Sequence, residues 1–312
     1  MRGSIQRRYG MNNISEKSLA QQTRSAVQFV SEDRTLRGWL YLPEGLAPYP
    51  AIVVTSGFGC VKEMFADHDY PAVFAAAGFA VLVYDHPFTG ESEGEPRQEI
   101  DPVAQQRAYQ DAITFLSARS EIDAARIGIW GTSYSGGHVL AVAAVDRRVR
   151  CVVSQVMTIS GSLNLLRRHA PSEIAGIREQ WARDRIARLR GDPPALVTAR
   201  PAAETRAFFE SMAPECLVNF KQEVTSRSYE WYYSYEPAQT IERISPTPLL
   251  MIVCSHDTRT PPEDALAAFH RARKPKKLVL LDGGHYDAYR KHFGATSQGA
   301  RDWFVAHLSA PG

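Results

Sequence analysis

The chain opens with two β-rich runs, SAVQFV and LRGWLYLP, separated by the turn-forming SEDRT, and this pattern over residues 25–43 predicts a hairpin. Short apolar runs then alternate with stretches of helical period. AIVVTSG precedes a helix expected over 63–77, FAVLVYD one over 103–116, and RIGIWG the segment after Ser133, before the further run VRCVVSQ. The rhythm returns late in PLLMIVCS, the helical PEDALAAFHRAR, KLVLLDGG and a closing helix around 301–307. Strands alternating with helices imply right-handed crossovers and a mostly parallel sheet with helices on both faces. Between 158 and 244 the rhythm disappears. There Ile174, Ile177 and Trp181 share one helix face, Ser172 is placed to cap its start, and Gly191 with Pro193 and Pro194 ends it. The expected organisation is a loose segment over 1–24, an α/β core over 25–157 and 245–312, and a helical cap inserted at 158–244. Both attachments of the cap are expected at the carboxyl edge of the sheet, where the segment would roof a site there.

Composition narrows the function. In 312 residues, 44% are apolar, 22% are charged and the formal net charge is +2, values typical of a globular protein with no broad pull toward nucleic acid or membrane. The longest apolar stretch, 72–84, is shorter than the roughly 20 residues of a membrane helix and is split by Gly78. The first twenty residues are polar and lack the apolar stretch of a secretory signal, and MRGS is compatible with an added leader ahead of Met11. Four cysteines stand far apart without metal-binding or disulfide spacing. A cytoplasmic protein acting on a small molecule is expected, with no metal, no cofactor, and a homodimer left open.

The segment RIGIWGTSYSGGHVL carries the first chemical signal. A serine hydroxyl is a weak nucleophile until a base takes its proton, and a strand-to-helix elbow exposes its oxygen; small residues must flank such a turn. Gly131, Ser133, Tyr134 and Gly136 supply that pattern, with Ser135 in place of a second glycine. A shifted register would make Ser135 the nucleophile; Ser133 is preferred because Gly131 directly follows the strand pattern of Ile127 and Ile129. An acid and a histidine follow later strands in the order such a triad requires: Asp257 in SHDTRTPP and His285 in GGHYDAY, with His256 as the one rival base. Two N–H donors are needed for the developing oxyanion, and the backbone amides of Tyr134 and of Phe58, in TSGFG, are placed to give them.

Together these motifs make the chain resemble the α/β-hydrolase superfamily, within it the dienelactone-hydrolase-like serine hydrolases and the related X-Pro dipeptidyl-peptidase type enzymes. TSGFGCVKEMF is similar to their oxyanion strand and loop, YDHPFTGESEG to the following turn, GTSYSGG to their elbow, HDTRTP to their acid loop and GGHYD to their histidine loop. The resemblance spans about residues 25–308 and implies an α/β-hydrolase fold: a mostly parallel central sheet flanked by helices, with the inserted cap. It implies hydrolysis of an ester or lactone through an acyl-enzyme. Acyl transfer, C–C bond hydrolysis and proline-selective peptidase action stand as alternatives, and a binding protein without chemistry is disfavoured because no triad member is missing. Asp85 and Glu91 are expected to be structural, and the arginine-rich helix around Arg178, Arg183, Arg185, Arg188 and Arg190 to be a solvated face. From the aromatic run SYEWYYSYEP, Trp231, Tyr232 and Tyr233 are candidates for the pocket wall, which would favour medium-sized or aromatic acyl groups.

Overall fold

The computed structural model describes residues 23–199 and 202–309. The expected loose segment at 1–24 therefore lies almost wholly outside the described residues. Strands β1 (Thr23–Ser31) and β2 (Arg34–Leu42) form the opening hairpin, and β2 pairs antiparallel with β4 (Ala80–Tyr84). From there the sheet is parallel through β3 (Tyr49–Thr55), β5 (Ile122–Thr132), β6 (Val149–Gln155), β9 (Leu249–Cys254) and β10 (Lys276–Leu281), in the spatial order β1-β2-β4-β3-β5-β6-β9-β10. β4 and β9 are buried along their whole length, as their unbroken apolar runs require of strands covered on both faces. This is the α/β-hydrolase fold.

Helices α1 (Tyr70–Ala76), α2 (Pro102–Ser117) and α3 (Tyr134–Ala143) follow the early strands, with α8 (Pro262–Arg271) and α9 (Phe293–Leu308) after β9 and β10. Two boundaries differ from expectation. The single helix expected over 63–77 is a 3₁₀ turn, Lys62–Ala66, followed by α1. Asp69 caps α1 by accepting from the Ala72 amide at 2.9 Å, and Pro71, which lacks an N–H, fits only in a first turn. α9 begins well before 301: Phe293, Thr296, Ala300, Phe304 and Leu308 form one buried stripe whose small and polar members hide its period.

Between β6 and β9 lie α4 (Gly161–Arg168), α5 (Pro171–Leu189), α6 (Ala203–Glu210) and α7 (Ser226–Ser234), with an unexpected two-stranded antiparallel sheet of β7 (Leu196–Thr198) and β8 (Glu223–Thr225). Ser172 does not cap α5. Pro171 occupies the first turn after Ala170, whose amide donates to Glu173 at 2.7 Å. Ile174 and Trp181 are buried as expected, and Gly191, at φ +94°, follows the helix end. The segment leaves the carboxyl end of β6 but does not return there. Because β9 runs parallel to β6, the chain must descend to the opposite edge, and it does so through Ala238, Ile241 and Ile244, buried in the core beside α3 and α8. No helix among the described residues is long and apolar enough to cross a membrane.

Candidate active site

Ser133 sits between β5 and α3 at φ 56°, ψ −116°, a conformation that costs a non-glycine residue on the order of 1–3 kcal/mol. Surrounding close packing holds it there. A Cβ on Gly131 would lie 2.2 Å from the Ser135 carbonyl oxygen, and one on Gly136 would lie 2.8 Å from Met157 Cβ, so only glycine lets the turn close and α3 lie against β6. Ser135, in the second glycine's place, is fully buried, and its hydroxyl meets His86 Nε2 at 3.1 Å. Of the two registers considered, Ser133 holds the elbow and lines the cavity, half-buried, whereas Ser135 does not reach it.

The carboxyl ends of β9 and β10 bring the other two residues to it. His285 Nε2 lies 3.1 Å from Ser133 Oγ, and His285 Nδ1 lies 2.7 Å from Asp257 Oδ2. Asp257 also accepts from the amides of Arg259 and Thr260, both at 2.7 Å, and the Thr260 hydroxyl is 2.7 Å from Oδ2. Burial pushes the Asp257 carboxyl up, but the adjacent His285 and the Thr260 hydrogen bonds outweigh it and hold the group below the usual carboxylate range. An ionised Asp257 fixes the Nδ1–H tautomer and turns the Nε2 lone pair toward the serine. His256 is exposed and bonded to Asp282 at 3.0 Å, away from this line of atoms.

Gly57 packs directly on Ser133: a Cβ there would stand 3.0 Å from Ser133 Cβ and 3.3 Å from its Oγ. Phe58, the next residue, and Tyr134, which opens α3, both line the cavity above Ser133, their rings edge to face at 5.2 Å. The loop carrying Gly57 and Phe58 is anchored through Asp85 and Glu91, in the structural role expected of them, by a lysine the sequence did not single out. Lys62 is buried, and its Nζ donates to Asp85 and Glu63 at 2.8 Å each and to Glu91 at 2.6 Å. Those three carboxylates lie close enough together to bind a metal ion, and the lysine ammonium stands in the cation's place. Asp85 accepts as well from the amides of Lys62 at 2.7 Å and Glu91 at 2.9 Å, tying the turn after β4 to the glycine loop.

The cavity over Ser133 is walled by two aromatic groups. Phe208 of α6 stacks on Tyr286 at 4.3 Å and lies near Tyr289 and His68, while Phe58, Tyr134, Tyr229 and Tyr232 form the other wall. Of the three aromatics expected there, Tyr232 is on the wall and Trp231 and Tyr233 are not. On α7, residues 229, 232 and 233 share the inward face, but Tyr233 packs deeper against Trp181, and Trp231 turns outward to lie over Arg227. Phe208 and Met212 were not foreseen because a short helix with two adjacent phenylalanines gives no directional signal. Three of the α5 arginines make ion pairs: Arg183 with Glu179 and Arg185 with Glu230 at the surface, and Arg188 with the buried Asp184.

A family model described as X-Pro dipeptidyl-peptidase (S15 family) matches residues 35–287. The chain is 31% identical over 279 residues to a thiohydrolase of Eupenicillium brefeldianum, the match covering 85% of this chain and 88% of the relative. It is 32% identical over 280 residues to a polyketide transferase of Stachybotrys chlorohalonatus, covering 86% and 91% respectively. Among solved structures, an α/β hydrolase from Penicillium superposes with a TM-score of 0.79 at 28% identity, covering 92% of this chain and 99% of that one.

Proposed function

The chain belongs to the X-Pro dipeptidyl-peptidase (S15) family of α/β hydrolases, and from that premise we propose that it is a serine hydrolase cleaving carboxylic ester, lactone or thioester bonds through an acyl-enzyme. The observation that carries the reading is the unbroken line from Asp257 through His285 to Ser133, at 2.7 and 3.1 Å. In this mechanism His285 Nε2 takes the Ser133 proton as Oγ attacks the carbonyl carbon. The amides of Phe58 and Tyr134 hold the oxyanion, and Asp257 stabilises the imidazolium. The same proton then passes to the departing alcohol or thiol. Water, deprotonated by His285, attacks the acyl-serine and returns the enzyme with a free acid.

A proline-selective peptidase would need an anionic group to hold a peptide amino terminus. The described residues lining the cavity include two arginines and no carboxylate, which disfavours that activity here. A relative named as a polyketide transferase favours one second reading, in which an alcohol, amine or thiol intercepts the acyl-enzyme ahead of water. Fluorophosphonate labelling with peptide mass mapping tests the shared step: the adduct is expected on Ser133 and absent from Ser133→Ala. Label on Ser135, or label persisting in that variant, would refute the assignment. Product analysis with added alcohol or thiol acceptors then separates hydrolysis from transfer.

A further inference from the structure

Helix α4 brings to the cavity a charge for which ester cleavage itself has no use. Arg168, in its last turn, is half-buried and lines the cavity together with Ser133 and His285. Its Nη2 donates to the Arg259 carbonyl, and its guanidinium lies over the Tyr232 ring, 5.6 Å from the centroid. Among the described residues no carboxylate pairs with it; tyrosines 232 and 233 and that carbonyl are what favour its charge. The preceding residue shows the contrast, since Arg167 faces outward and is held by both oxygens of Asp264. Desolvating a charge is costly, so a half-buried guanidinium is ordinarily matched by an anion, and carbonyls or ring faces stabilise it without neutralising it. Hydrogen bonds to the side chains of Tyr232 and Tyr233 also engage its planar fork, and none of these neutral partners cancels its charge. Arg259 lines the same cavity, its link to Glu204 a loose 3.9 Å, so the wall carries two cations and no acid.

We propose that Arg168 binds a carboxylate carried by the substrate, so that acyl donors with a second, ionised acid group are preferred over neutral donors of equal length. The position rests on the hydrolase reading, because the fork faces the cavity in which Ser133 would attack. A carboxylate is favoured over a phosphate dianion because, of the two guanidiniums among the described cavity-lining residues, Arg259 has Glu204 beside it and Arg168 has no acidic partner.

The test compares mono-4-nitrophenyl glutarate with the same ester methylated at its free acid. The anionic ester is expected to show a kcat/KM roughly 10–100-fold higher, the range of a charge-assisted bidentate contact. Arg168→Gln should remove most of that ratio, and Arg168→Lys, a point charge without the fork, should restore part of it. A ratio near one in the unaltered enzyme, or one that Arg168→Gln leaves unchanged, overturns the proposal. Should Arg168→Gln fail to fold, a severalfold fall of the ratio in Arg168→Lys supports it and an unchanged ratio overturns it. Preference for a phosphate-ended ester over the glutarate would likewise overturn the carboxylate assignment. Calorimetric titration of Ser133→Ala with glutarate and with glutaramide needs no turnover. Glutarate binding that disappears when Arg168→Gln is added supports the anion site even if no ester is cleaved. Absence of glutarate binding, alongside Ser133 labelling and turnover of the neutral ester, sinks this inference and leaves the hydrolase reading intact.

Discussion

The floor and the roof of the cavity are built by opposite means. On the floor, glycines leave no room for a side chain: a Cβ on Gly57 would press on the Ser133 side chain, one on Gly131 would strike the Ser135 carbonyl, and one on Gly136 would strike Met157 and the Gln155 carbonyl. Ser133 and Val156 are both held at positive φ beside those contacts, and a buried lysine ties three carboxylates together beneath the glycine loop. The roof is made of amphipathic helices with a small aromatic core around Ile174, Trp181, Tyr232 and Tyr233, Ile186 and Leu189 exposed, and surface arginines paired to nearby acids. A floor of this kind has no slack, because strain at Ser133 persists only while its neighbours over-determine it. A roof held by side chains can be altered one contact at a time.

The largest expected effect lies on the floor. Asp257→Asn should lower kcat by roughly 10³–10⁴-fold with little change in melting temperature, because an amide facing Nδ1 favours the wrong tautomer. A loss below tenfold would mean that the Thr260 hydroxyl, 3.3 Å from His285 Nδ1, suffices to orient the ring. Next comes Asp85→Asn. It leaves the fully buried Lys62 ammonium without its main partner, and denaturant unfolding should show about 3–5 kcal/mol of lost stability. Under 1 kcal/mol would show that Glu63 and Glu91 carry the lysine alone, and the floor would be less rigid than its contacts suggest.

Acid should act on the floor before the roof. Burial holds His86 down at about 3, and burial together with the nearby His86 holds His138 well below the usual histidine range. Both stay neutral in the fold while the unfolded chain takes up protons below about pH 6.5, so stability falls as pH drops from there toward 3. The steepest slope is about 1.4 kcal/mol per pH unit for each histidine. Asp257 adds to this lower down: its stabilisation is present above the ordinary carboxylate pKa and is lost as pH falls through its lowered value. Unfolding midpoints measured from pH 7 to 4 that do not move would contradict the burial of both rings. The smallest effect belongs to the roof, where Arg185→Ala breaks an exposed, solvent-screened pair with Glu230 and should leave the unfolding midpoint unchanged within error. A clear fall in the midpoint would make the α5–α7 contact as exacting as the floor.

The order of strands, the elbow at Ser133 and the positions of Asp257 and His285 were legible in the sequence because each depends on residues adjacent along the chain: an apolar run sets a strand, and the glycines after it set the turn. The parting of residues 63–77 into two pieces was legible in principle from Pro71 and Asp69, and was obscured by the apolar run that follows them. Other features depend on neighbours distant in sequence, and only the tertiary structure decided them. Lys62 meets Asp85 and Glu91 because β3 and β4 are adjacent in the sheet. Tyr232 lines the cavity over Ser133 while Trp231 does not, because α7 presents one side to the cavity and a one-residue step turns a helix by about 100°. Arg167 and Arg168 are identical in type and consecutive, yet one meets Asp264 at the surface and the other the cavity, a difference fixed only where α4 docks. Local sequence determines which backbone conformation a segment adopts, whereas the environment of a side chain is set by whichever element packs against it, and that packing is a property of the whole folded chain.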